Sequence, residues 1–203
     1  NFYLVAGILN GILAHGLSLL NGSVLNVPVE RELIAREFRN GAFSIRAYWA
    51  ARASVVVIVA VCIGVVEISI WYSLIGLTNR VWSFVHVYLS STVHACIFSV
   101  LGCIIGLACK TNLASAQVGD PLGTSMMAFN GQIIIRHFIK DYFKPIFYAL
   151  PPSYALEISV TACLEHKGDD GEDVLSYYGF KSSNRQRNYA ILAGMLIFWL
   201  TVG

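Results

Sequence analysis

Four long stretches of this chain carry almost no charge, and that single feature restricts its fold more than any other. Asn1 to Val29 and Val81 to Cys109 have no Asp, Glu, Lys or Arg, Ala53 to Leu77 has only Glu67, and Thr111 to Ile135 has only Asp120. Each exceeds the roughly 20 residues that cross a hydrocarbon core at about 1.5 Å per residue. A fifth uncharged run, Asn188 to Gly203, is shorter. With 56% apolar and 13% charged residues over 203 positions, against about 25% charged in soluble domains, the chain reads as an all-α, polytopic membrane protein with about five spans. Inside lipid every backbone group must bond within its own segment, so even the Val- and Ile-rich run from Tyr48 to Leu77 reads as helix.

Between these runs the polar segments set the order. Phe2 to Val27 contains Gly7, Gly11 and Gly16, small residues that let a neighbouring helix approach. At Pro28 the character changes to Glu30-Arg31-Glu32-Leu33-Ile34-Ala35-Arg36-Glu37-Phe38-Arg39, where Leu33, Ile34, Glu37 and Phe38 recur at helical spacing. That pattern predicts a short, separate amphipathic helix outside the membrane core, stopped by Asn40-Gly41. Thr78-Asn79-Arg80 is a tight turn between the second and third spans. The fourth, about Leu113 to Ile135, carries Asp120-Pro121, expected either to bend it at depth or to lie near its cytosolic end.

From Arg136 to Arg187 the chain is mixed and polar. Tyr142 to Leu150 and Tyr154 to Leu164 are about half a bilayer long and predict re-entrant or interfacial helices, while Asp169 to Asp173 is expected to be a solvated acidic turn. Arg31, Arg36, Arg39 and Arg46 in the first loop place that loop in the cytosol by the positive-inside rule, and the Arg136 to Arg187 region outside. The five cysteines form neither a disulfide framework nor a zinc motif, and a net charge of +2 gives no basic face for nucleic acid. No metal site is expected. The chain begins on Asn with no basic segment ahead of its first apolar run, and is expected to be a fragment.

Several intramembrane polar residues are candidates for function. Glu67 is expected to face protein or water, because a mid-span charge costs at least about 2.5–3.5 kcal/mol on insertion scales. It is expected to pair with His86 or His94, or to be protonated. His86 and His94, eight residues apart on one helical face, suit a proton path or plain helix packing.

The segment Val29 to Phe38 followed by Gly41-Ala42-Phe43 and Tyr48 resembles the "ER-x-x-F-x-RE-x-x-x-G-x-Y" loop of the G subfamily of ATP-binding cassette transporters, the white and pleiotropic-drug-resistance type. Trp71 to Leu77 is similar to the "Y-x-M-x-GL" close of that family's third membrane helix. Pro152 to Glu157 stands where the family has "SP-x-x-Y-x-x-E/A", and Asn188 to Leu192 resembles the start of its sixth helix. The resemblance implies an ABC-2 type membrane domain over residues 1–203, holding family helices two to six with the last truncated, a cytosolic coupling helix and an outer loop with re-entrant helices. The first membrane helix and the nucleotide-binding domain would lie outside this chain, and no G-x-x-x-x-G-K-[ST] occurs in it.

On this resemblance the chain performs no catalysis and binds no cofactor of its own; ATP and magnesium belong to the nucleotide-binding domain. Partners are membrane lipid, that domain and a second membrane domain. Glu30, Arg31, Leu33, Ile34, Arg36, Glu37 and Phe38 are the implied coupling residues, while His15, Ser18, Thr124 and Met127 are placed toward a central substrate cavity. Where some relatives carry a bulky apolar gate this chain has Gln132 and Ile133, and Cys163 stands alone where relatives form loop disulfides. The expected function is ATP-driven export or flipping of an amphipathic, lipid-like substrate by alternating access. Read without the resemblance, Glu30 to Arg39 also fits a solvated loop with internal Glu–Arg pairs worth about 0.2–0.5 kcal/mol each. An ion-coupled carrier or channel using Glu67, His86 and His94, or a non-transporting membrane scaffold, are the other classes the residues allow.

Overall fold

The computed structural model describes residues 2–77, 80–130, 134–135, 138–165 and 167–202, with the side chain of Met127 outside that description. The expectations placed on Thr78, Asn79, Met127, Gln132 and Ile133 therefore lie outside the described residues or side chains. Within them the chain is mostly helical and has no strand, with the helices in the order α1 (Phe2–Arg39), α2 (Ile45–Leu74), α3 (Val81–Ala108), α4 (Asn112–Ala128), α5 (Lys144–Ala149), α6 (Pro151–Leu164), α7 (Asp169–Tyr178) and α8 (Arg185–Val202). Among the described residues α1, α2 and α3 are long and apolar enough to cross a membrane.

The bundle is organised by how much of each helix its neighbours cover. α3 is the central element, with a buried face that widens into continuous burial from Ser90 to Cys103, interrupted only at Val93. α2 is its opposite: its buried residues are Val56, Ala60, Gly64, Ile68 and Tyr72, one residue per turn along a single narrow stripe. The remaining surface of α2 exposes Val55, Ile58, Val66 and Ile70. An apolar face of that extent is stable against hydrocarbon and unstable against water. α2 therefore lies at the lipid boundary of an integral multi-pass protein.

Close contact between α1 and α3 depends on missing side chains. A Cβ at Gly16 would lie 2.4 Å from the His94 ring, one at Gly102 2.6 Å from the backbone oxygen of Leu20, and one at Gly106 2.7 Å from Val27. Ser23 and Ser99 then reach each other across the contact at 2.7 Å. Gly119 and Gly123 let α4 settle on Val24, Leu17 and Leu20 of α1 in the same way. The expected role of small residues in the first run is met at Gly7, Gly11 and Gly16, which face Ile75, Trp71 and His94.

Three expectations are corrected. There is no separate amphipathic helix after Pro28: α1 is one helix of 38 residues with Pro28 inside it. Proline removes one backbone donor, but Val27 and Pro28 are buried and seated on Gly106 of α3, so packing keeps the helix continuous through the lost bond. α1 stops where expected, with Gly41 at φ 72°, its N–H donating to the Phe38 carbonyl and that of Ala42 to the Glu37 carbonyl at 3.1 Å. The fourth apolar run makes a shorter helix than expected, ending at Ala128, and Pro121 neither opens nor ends it. Thr124 Oγ1 and Ser125 Oγ donate to the carbonyls of Asp120 and Pro121 at 2.8 and 2.7 Å. The acidic stretch from Asp169 is the first turn of α7 rather than a free turn, where its carboxylates complement the helix dipole.

The two half-length segments do form helices. α5 is short and mostly exposed, whereas all 14 residues of α6 are buried. Pro151 and Pro152 occupy the first turn of α6, where a missing donor costs nothing. α6 runs antiparallel to α3, fixed by Ser83 Oγ donating to the Ala162 carbonyl at 2.8 Å and by Ser90 and Ser159 meeting at 2.7 Å.

Candidate functional site

One cluster of charged residues, from Glu30 to Arg52 together with Lys110, lies where four helices end together. Ser44 caps α2 by accepting from Ala47 N at 3.2 Å, and Thr111 caps α4 by accepting from Ala114 N at 3.2 Å, each cap worth about 1 kcal/mol. Those caps start α2 and α4 beside the last turns of α1 and α3. Trp49 Nε1 donates to the Leu200 carbonyl at 2.7 Å, which brings the far end of α8 to the same place.

Here the arginine-bearing extension of α1 divides into residues that hold it and residues that it presents. Arg52 of α2 donates to both Glu30 carboxylate oxygens, at 3.1 and 3.4 Å. Arg31 Nη1 donates to the Cys109 carbonyl at 3.0 Å, one of the acceptors left open at the end of α3. Glu30 and Arg31 thus tie the extension to α2 and α3. Leu33, Arg36, Glu37 and Phe38 are exposed and Ile34 is partly covered. Leu33 and Phe38 are 49% and 44% accessible, which is an apolar surface flanked by charge and left open by the described residues.

Above this end a groove of about 410 Å³ separates α1 from α2. Ser18, Asn26, Glu30 and Arg52 line its polar side and Val55, Val59 and Ile63 its apolar side. Beyond the groove the two helices close again on a part-buried pair, with His15 Nδ1 2.9 Å from Glu67 Oε2. The His15 side chain is wholly buried, and that of Glu67 is 23% accessible.

This pairing overturns the expectation that Glu67 meets His86 or His94. Helix register decides it: Glu67 lies on the face of α2 that meets α1, whereas His86 turns to α8, where its Nδ1 is 2.9 Å from the Tyr189 hydroxyl. His94 packs against Gly16 and, ring to ring at 4.4 Å, against Phe98. Eight residues of helix separate the two histidines by about 12 Å, so His86 and Glu67 belong to separate contacts, and His94 lies near His15 without bonding Glu67. Nor do the proposed cavity residues converge. His15 is sealed against Glu67, Ser18 opens into the α1–α2 groove, and Thr124 is exposed on α4, which packs on a different face of α1.

One buried carboxylate escaped the sequence reading. Glu157, in the middle of α6 and 1% accessible, accepts from the backbone N–H of Lys181 and from Asn184 Nδ2, both at 3.2 Å. Together with the Arg185–Glu165 ion pair at 2.6 Å it fastens the start of α8 to α6. The available signal was an acid inside a half-length apolar segment. Cys163 is a buried, unbridged thiol at the end of the same helix.

A mostly helical chain with three long apolar helices admits many membrane families. The family model described as ABC-2 type transporter matches residues 2–164, from the start of α1 to the end of α6. The chain belongs to the ABC-2 type transporter family. No curated protein matches it. As an ABC-2 domain it is the membrane-spanning part of an ABC-type transporter, the part that works with a nucleotide-binding domain and a second membrane domain.

Proposed function

We propose that this ABC-2 domain belongs to the G subfamily and moves an amphipathic, lipid-like substrate by alternating access, driven by ATP hydrolysis in a nucleotide-binding domain of the same protein. The arginine-bearing end of α1 faces the cytosol and is the surface on which that domain pushes. The observation that carries this reading is the continuity of α1 from Phe2 to Arg39. A separate loop helix passes on a push only through its hinges, whereas a single rod turns a push at Phe38 into movement of the whole span. Glu30 and Arg31 supply the ties that pass the same movement to α2 and α3.

Leu33, Ile34, Arg36, Glu37 and Phe38 serve as the docking face in this reading, with apolar contacts giving area and the two charges giving register. ATP and magnesium act only in the partner domain. The substrate path runs past Ser18 in the α1–α2 groove and past Thr124 on the open face of α4, which a second membrane domain covers. The test is made in the intact transporter in vesicles. Arg36→Ala and Glu37→Ala are expected to leave insertion and basal ATP hydrolysis in place while export falls several-fold. Export at the wild-type rate in both variants overturns the coupling role.

A further inference from the structure

We infer that the groove between α1 and α2 seats one zwitterionic phospholipid of the leaflet at the arginine-bearing end, with an acyl chain in the slot and the headgroup on the Glu30–Arg52 pair. Residue spacing builds the two walls. On α1, Ser18, Gly22, Asn26 and Glu30 recur every four residues; on α2, Val55, Val59 and Ile63 do the same, with Arg52 about one turn nearer the charged end. Residues four apart share a helix face, so a polar stripe stands opposite an apolar one. Midway along α1 the stripe has no side chain, and a Cβ on Gly22 would meet nothing within 4 Å. Val55, Val59 and Ile63 are exposed and continue the apolar outer surface of α2. The groove is therefore open to the hydrocarbon that bathes that helix, and an apolar wall takes up hydrocarbon in preference to water.

The dimensions select a lipid chain. Ser18 and Glu30 bound the α1 wall, a length of about 18 Å at 1.5 Å per residue, and one leaflet of a hydrocarbon core of about 30 Å is about 15 Å deep. The groove thus runs from the charged end to about the midplane, where the His15–Glu67 contact closes it. A volume of about 410 Å³ spread over that length is a slot for a hydrocarbon chain. A helix of a second copy, roughly 10–12 Å across with its side chains, is too wide for it.

The charges select the headgroup. At the mouth Arg52 and Glu30 lie side by side at 3.1 Å, with side chains 19% and 44% accessible. Together they carry no net charge, so an anionic headgroup meets repulsion from Glu30 that offsets its attraction to Arg52. A headgroup with both a phosphate and an ammonium satisfies both, the phosphate on the guanidinium and the ammonium on the carboxylate. Arg52 reaches Glu30 through Nη1 alone, and a guanidinium carries five N–H donors. Asn26 is exposed one turn deeper than Glu30, at the level of the ester carbonyls, to which its amide can donate. The inference concerns occupancy of the groove, whether or not the lipid is cargo, and does not depend on the exporter reading.

Photolabelling tests it in the intact protein in phosphatidylcholine vesicles. A trace of phosphatidylcholine, or in a parallel sample phosphatidylglycerol, carries a diazirine midway along one acyl chain, and labelled residues are mapped by mass spectrometry. The phosphatidylcholine probe is expected to label Val55, Val59 and Ile63 several-fold more than Ile58, Val61 and Val65, which are exposed on α2 at similar depth outside the groove. The phosphatidylglycerol probe is expected to label the two sets alike. In Gly22→Val, whose side chain stands in the slot, the excess in the groove is expected to disappear. In Glu30→Gln, which leaves Arg52 without its acid, the phosphatidylglycerol probe is expected to become enriched there. Even labelling of both sets by the phosphatidylcholine probe marks ordinary boundary lipid and overturns the inference, as does an equal excess of both probes in the wild type. An excess unchanged in Gly22→Val overturns the seat, and a phosphatidylglycerol pattern unchanged in Glu30→Gln overturns the headgroup assignment. Where a variant does not assemble, the two probes on the wild type decide. Labelling is read without ATP or transport, so its failure is distinct from a failure of the exporter reading.

Discussion

α1 meets α3 and α2 in opposite ways. Along α3 it is pressed backbone to backbone through Gly16, Gly102 and Gly106, with Ser23 and Ser99 bonded inside the contact. Along α2 it touches closely at Gly7 and Gly11 and where Gly64 meets the His15 ring, and then opens into a groove of about 410 Å³, with two polar latches, His15–Glu67 and Glu30–Arg52. A dry, interlocked seam has one arrangement, whereas a seam with an internal gap and a few polar ties has more than one. α1 and α3 are therefore expected to move as one body, with α2 the element that shifts against it.

The sharpest way to break that contrast is to add volume on each side of α1. Gly102→Val places a side chain against the backbone of α1, which cannot give, and is expected to cost about 3 kcal/mol or more, seen as loss of the folded fraction in a thermal melt in detergent. Gly22 has nothing within 4 Å of a built Cβ and borders the groove; Gly22→Val is expected to melt close to wild type. Equal destabilisation by both removes the distinction between the seams.

A smaller effect is expected from Ser99→Ala, which leaves the Ser23 hydroxyl buried without its partner at a cost of about 1–2 kcal/mol. Smallest in stability is Arg52→Ala. Its ion pair is partly open, with Glu30 44% accessible, and solvent screening holds such a pair to about 0–1 kcal/mol. Export is nevertheless expected to fall in Arg52→Ala, since the tie joins the extension of α1 to the mobile helix. A melt shifted as far as that of Gly102→Val, with export intact, contradicts this division between strength and coupling.

Much of the architecture was legible in the sequence. The charge-free runs gave α1, α2 and α3, and the short aromatic run gave α6, because the distance between charges is set by membrane thickness. The helix expected to stand apart after Pro28 is instead continuous with the first span, because Val27 and Pro28 are clamped by Gly106 of α3, which is far away in sequence. α4 ends early, at Ala128, and the apolar residues that continue the run in the sequence hid that end.

At the candidate site the residue types were visible and the partnerships were not. Glu67 announced itself as a charge in an apolar run, yet whether it faces α1 or α3 depends on helix rotation, which a nearly uniform apolar helix does not encode. Its narrow stripe of Ala60, Gly64 and Ile68 is distinguished from the lipid face by residue size at two positions and little else. The division of Glu30 to Phe38 into holding and presented residues likewise required the positions of Arg52 and Cys109.

Spin labels at Tyr3 and Ala35 of the intact transporter, with their separation measured without nucleotide and with trapped ATP, bear most directly on α1 as a single load-bearing rod. At about 1.5 Å per residue the backbone separation is about 48 Å, and it is expected to stay fixed through the cycle while distances from α1 to α2 change. A separation that shortens by several ångströms on ATP binding places a hinge at Pro28 and contradicts the rod.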